Sequence, residues 1–130
     1  MPEDRSKALS EYRINSAQET LKVSKECFEG KHYKDSINRA YYAAFYAIKA
    51  VLALEGTDFR RHKDVTAYFN RTYVAAEVFP KELGRKLSRL QQKREQSDYD
   101  DFFLASKEEA QEQLASAAAI VNAVKEFLAR

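Results

Sequence analysis

Arg94 and Asp98 stand four residues apart at the end of a basic stretch, so in a helix they share one face and can pair. Counting back from Arg94 by three- and four-residue steps meets Leu90, Leu87 and Leu83, so a cation and a carboxylate continue a core-facing apolar line. Charged groups on such a line need partners, because an unpaired buried charge is costly. Two outcomes are open. The pair can be structural, bonded to Tyr42 or Tyr46 and fixing how two helices dock, or it can bind or transform a ligand. Arg39 and Asn38 add polar groups at the mouth of an apolar run, in which Lys49 is the sole charged residue between Ala40 and Leu54. Arginines suit phosphate or carboxylate recognition. Tyr41, Tyr42, Phe45 and Tyr46 could stack on a base, although aromatics at helical spacing more often fill a core.

A second basic cluster, Arg60, Arg61, His62 and Lys63, is placed at the start of a helix, where backbone N–H groups could help hold phosphate. A solvated helix end is the simpler expectation. The formal charge of +2 hides a strong asymmetry. Pro80 to Gln96 carries six basic and two acidic residues, whereas Ser97 to Glu112 carries six acidic residues and one lysine. The basic part could face nucleic acid, or the two parts could simply be solvated faces that attract each other. There is no zinc-ligand spacing, glycine-rich phosphate loop, Ser-His-Asp set or paired redox cysteine, so no metal or cofactor is expected. Cys27 is alone, which excludes an internal disulfide and suits a reducing, cytoplasmic setting. The charged Met1–Lys7 stretch lacks a signal-peptide apolar core, and the longest apolar run is shorter than the roughly 20 residues that span a bilayer, so no membrane is expected.

Positioning these groups takes about five helices in one domain over residues 1–130. Three glycines, two prolines and abundant Ala, Leu, Lys and Glu favour an all-α chain. A first helix is expected from about Glu3 to Phe28, with Ile14, Ala17, Leu21, Ser24 and Phe28 on one face and Gly30 as its stop. The second runs from about His32 to Leu54, buried on nearly every side and closed by Gly56. Thr57 and Asp58 are candidate caps for a third, from about Arg60 to Ala76, with Val65, Tyr68, Phe69, Tyr73 and Ala76 inward. Pro80 suits the first turn of the fourth. Ser106 and Glu109 form a capping box for the fifth, whose Ala110, Leu114, Ala117, Val121, Val124 and Leu128 face inward. Ile120 and Phe127 widen that face, and could serve a partner helix as readily as the core. Short connections between long amphipathic segments give an up-and-down antiparallel bundle.

The segments Arg39-Ala-Tyr-Tyr-Ala-Ala-Phe-Tyr-Ala47 and Arg94-Glu-Gln-Ser-Asp-Tyr99 together resemble the HEPN superfamily, in particular its small stand-alone branch. The likeness spans almost the whole chain. It implies a helical bundle that forms two-fold dimers, and a cleft lined by Asn38, Arg39, Tyr42, Tyr46, Arg94, Asp98 and Tyr99. Nuclease members carry an Arg-x4-6-His motif and cleave RNA without metal. Here Asp98 stands where the motif histidine would be, and the spacing is shortened. A histidine with a free pKa of about 6.5 moves protons near neutral pH, whereas an aspartate of about 3.9 is nearly always ionised. Arg94 and Asp98 are therefore weak candidates for catalysis. The resemblance then favours a binding module for nucleotide or RNA, partnering a minimal nucleotidyltransferase in a two-component toxin-antitoxin-like system. A remodelled RNase and a ligand-free dimeric scaffold are the alternatives.

Overall fold

The computed structural model describes residues 2–130, with side chains from Arg5 onward. Helices α1 (Pro2–Glu29), α2 (Tyr33–Leu54), α3 (His62–Phe69), α4 (Lys81–Tyr99) and α5 (Lys107–Leu128) succeed one another, with a π-helical turn at Asn70–Val74 directly after α3. No strand occurs among the described residues. The expected all-α bundle is what the chain forms. Helix α2 lies at its centre, touching α1, α3, α4 and α5.

Small side chains make that central position possible. Ala40, Ala43, Ala44, Ala47 and Ala50 are all fully buried, letting neighbouring helices come close on several sides of α2. The α1–α2 hairpin is pinned at both ends. Ser24 Oγ donates to Ser36 O at 2.7 Å and Ser36 Oγ donates to Ser24 O at 2.9 Å, while Ser10 Oγ donates to Ala50 O at 2.7 Å. Each bond satisfies a buried hydroxyl without opening the packing. Gly56, at φ +72°, turns the chain out of α2 through the left-handed region that glycine enters without penalty.

The third helix departs from expectation. It begins at His62 rather than Arg60, and its α-helical part ends at Phe69. The ladder then widens, so that Ala75 N donates to Asn70 O at 2.8 Å, and Ala76 lies exposed rather than inward. Helix α4 packs on this wide turn at Gly84, where a Cβ would lie 3.2 Å from Val74 Cγ1 and 3.3 Å from Asn70 Oδ1. Neither Thr57 nor Asp58 caps α3. Its N-cap is Arg61. Asp58 instead accepts from its neighbour's amide, Phe59 N, and pairs with Arg13 at 3.0 Å and Lys49 at 3.5 Å, tying the loop to α1 and α2.

Helix α5 starts as its sequence indicates. Glu109 N donates to Ser106 Oγ at 3.0 Å, Ser106 N donates to Glu109 Oε1 at 3.3 Å, and Lys93 Nζ donates to Glu109 Oε2 at 2.8 Å. The Lys93 bond, helped by Ser106 and opposed by burial, holds the Glu109 carboxyl below its ordinary pKa. A carboxyl depressed by folding adds stability that is present above its unfolded pKa and is lost as pH falls through the folded value. Thermal unfolding monitored from pH 7 to pH 3 should show a fall in Tm beginning below about pH 4.5, part of which Glu109→Gln removes. An identical acid-side fall in the variant would contradict this. Ile120 and Phe127 both pack against the chain's own core. Ile120 is fully buried, and Phe127 meets Tyr73 and Phe79 at 6.2 and 5.2 Å between ring centroids.

Candidate functional site

Leu83, Leu87 and Leu90 of α4 are buried, and the same line delivers Arg94 into the aromatic face of α2. Arg94 Nη2 donates to Tyr42 Oη at 3.0 Å, and the guanidinium carbon lies 5.5 Å from the ring centroids of both Tyr41 and Tyr42. Asp98 Oδ2 is 2.9 Å from Arg94 Nε, but Nε is buried and this contact lacks the in-line geometry of a hydrogen bond. Asp98 thus neutralises Arg94 without fully satisfying it. The arginine is oriented chiefly by Tyr42 and the two rings, a combination of charged hydrogen bond and cation–π attraction.

A second cation meets the same tyrosine. Arg39 lies 5.0 Å from the Tyr42 centroid, and its Nε and Nη2 both donate to Asn38 Oδ1, at 3.0 and 2.6 Å. Among the described residues Arg39 makes no ion pair. Asn38, Arg39, Tyr42, Arg94 and Asp98 are therefore brought together. Tyr46 is next to Tyr42, at 6.0 Å between centroids, yet it also borders a separate groove with Tyr12, Arg13 and Lys49 on the α1 side. Tyr99 is 78% exposed beyond Asp98.

His62 is where sequence and structure part most. Rather than joining an exposed basic cluster, its ring stacks on Phe45 at 4.0 Å, meets Tyr42 edge-on at 5.7 Å, and sets Nδ1 3.1 Å from Tyr41 Oη. The four-residue phosphate candidate is thereby divided. Arg60, Arg61 and Lys63 stay exposed, with Arg61 paired to Asp64 at 2.9 Å, while His62 turns inward to the rings that Arg94 covers. The signal was present in the sequence: His62, Val65 and Phe69 stand at i, i+3 and i+7, the inward face of α3. Partial burial, then the nearby charges of Arg94 and Lys49, push the imidazole pKa down, leaving it neutral at pH 7. Burial pushes the Tyr41 hydroxyl up to about 12, so it stays protonated. No group of three or more metal-ligating side chains occurs among the described residues.

An α-helical bundle whose centre is an Ala- and Tyr-rich helix, closed by an arginine from the fourth helix, defines a class. The sequence profile of the HEPN domain matches residues 10–127, and the chain belongs to that family. A UPF0332 protein of Thermotoga maritima is 29% identical over 92% of this chain and 91% of its own length. From Methanocaldococcus jannaschii, a protein carrying the name "Putative toxin MJ0605" is 30% identical over 88% of this chain and 85% of its own. The crystal structure of ST0689, an archaeal HEPN homologue, superposes with a TM-score of 0.74 over 92% of this chain and 97% of its own, at 20% identity. That last likeness concerns the fold. Among the described residues no helix is long and apolar enough to cross a membrane.

Proposed function

We propose that this chain is a phosphate-recognising HEPN module for nucleotide or RNA, working as a homodimer beside a minimal nucleotidyltransferase in a toxin-antitoxin-type pair in a reducing cytoplasm. One observation carries the reading. Two guanidinium groups, Arg39 and Arg94, flank a single tyrosine at 5.0 and 5.5 Å, and Asp98 pairs directly with only the second. That leaves a local excess of cation beside an aromatic ring, which suits a phosphate with its base. The toxin names of the M. jannaschii relatives support the two-component setting.

Fluorescence anisotropy with a labelled oligouridylate, repeated across salt concentrations, tests this reading. Each phosphate contact should contribute about −0.7 to the slope of log K against log salt, so Arg39 and Arg94 together give about −1.4. Light scattering of the same sample should give twice the 15.0 kDa chain mass. No binding at low salt would leave only the scaffold reading. A second reading has its own observation, the presence of His62 in the Arg94 cluster. Cleavage of single-stranded RNA in the presence of a chelator, lost in His62→Gln, would select a metal-independent RNase.

A further inference from the structure

We propose that His62 is a third phosphate-recognising group of this cluster, presented to solvent as an Nε2–H donor by the Tyr41 hydroxyl. It rests on the reading of Arg39, Arg94 and Tyr42 as a phosphate receptor, and adds to that receptor a side chain from a different helix. Tyr41 is fully buried, and His62 Nδ1 is the one hydrogen-bond partner of its hydroxyl among the described residues. A buried hydroxyl proton left without an acceptor is unfavourable, so Tyr41 donates and Nδ1 accepts. In a neutral imidazole the ring proton is then on Nε2.

The ring has little freedom to turn away. Phe45 stacks on it at 4.0 Å with 26° between planes, Tyr41 lies at 6.0 Å and 27°, and Tyr42 stands edge-on. Nε2 has no hydrogen bond among the described residues and is not one of the fully buried unpartnered atoms, so a partly exposed ring leaves it open to a ligand. The rings around His62 are those of Tyr41, Tyr42 and Phe45, and the charges that act on it are Arg94 of α4 and Lys49 of α2, Arg94 being paired with Asp98 and Lys49 with Asp58. The groups nearest the ring are thus cations and tyrosine hydroxyls, with each carboxylate on the far side of an ion pair. A fixed N–H donor in that field selects an anion with several acceptor oxygens, and a phosphoryl group offers one oxygen to Arg94 and another to Nε2–H.

Two measurements on the full chain test this at pH 7.5. The first is nitrogen-15 NMR of the His62 ring, in which the Nε2–H tautomer is expected for the wild type and a tautomer mixture for Tyr41→Phe. An Nδ1–H tautomer in the wild type overturns the proposal, whatever the variants do. The second is affinity for a rhodamine-labelled oligouridylate without terminal phosphates, and for uridine 5′-monophosphate by calorimetry. His62→Phe keeps an aromatic ring against Phe45 but removes the donor, and should bind about tenfold more weakly. His62→Gln retains an N–H of similar reach and should return to within about threefold of wild type. Loss with the oligouridylate assigns an internal phosphodiester, and loss confined to the mononucleotide assigns a terminal phosphate. If Arg94→Gln weakens binding while His62→Phe does not, the His62 proposal fails and the receptor stands. If neither ligand binds, both fail together.

Discussion

Arg94→Ala should destabilise the protein by about 2–3 kcal/mol, a value set by its loss of one hydrogen bond to a charged group and of cation–π contact with two rings. A fully buried pair broken on one side would cost more, about 3–5 kcal/mol, and an exposed pair about 0–1. Arg94 and Asp98 side chains are 21% and 30% exposed, between those limits. Asp98→Ala should cost under about 1 kcal/mol, since solvent screens much of what the carboxylate supplies. The unequal response is the distinguishing feature. Urea unfolding of the two variants measures it, and equal midpoint shifts would mean that the ion pair, rather than Tyr42, orients the arginine. Arg94→Lys sharpens the point, because it keeps the charge but lacks the planar fork that covers Tyr41 while bonding Tyr42.

Phe69→Ala should have the larger effect on stability, about 3–5 kcal/mol, the usual cost of deleting a fully buried aromatic ring. Phe69 stacks on Tyr73 at 5.5 Å and meets Phe79 at 5.2 Å, and Phe79 in turn meets Phe127 of α5. Phe69 thus joins α3 to the π turn and to the loop before α4, and Phe79 carries the layer on to the last helix. A urea midpoint shift corresponding to less than about 1 kcal/mol would show that Tyr73 and Phe79 collapse into the space.

The central helix was legible because burial on nearly every side leaves a run with one charge, and Lys49 lies at its margin against Asp58. The capping box at Ser106 was legible for a similar reason. Its chemistry is local, needing only two side chains three residues apart. The start of α3 was not local. Asp58 reads as a cap but is drawn off by Lys49 of α2 and by Arg13 of α1, the latter far away in sequence, and the helix begins later without a side-chain cap. Moving the boundary turned His62 from an exposed cation into a neutral ring among tyrosines. Ser97 and Gln113 were hidden for another reason. Both are buried polar residues on core-facing stripes, with Ser97 Oγ and Gln113 Oε1 lacking a hydrogen-bond partner among the described residues, and nothing in their own flanking sequence separates them from solvated neighbours.

The π turn at Asn70–Val74 has the geometry of a helix that has taken in one extra residue. An α-helix advances about 100° per residue, so an insertion absorbed here changes the angular phase between α3 and the chain leading into α4. Tyr73 and Phe79 keep their places in the aromatic layer, while His62, eight positions before the turn, is set to point at Phe45. Chain length at this one place therefore works as a dial on the bundle. Deleting one residue within the turn would rotate His62 by about 100° relative to the chain leading into α4, and so change which side chain of the third helix lies beside Arg94 without altering a residue of α2 or α4.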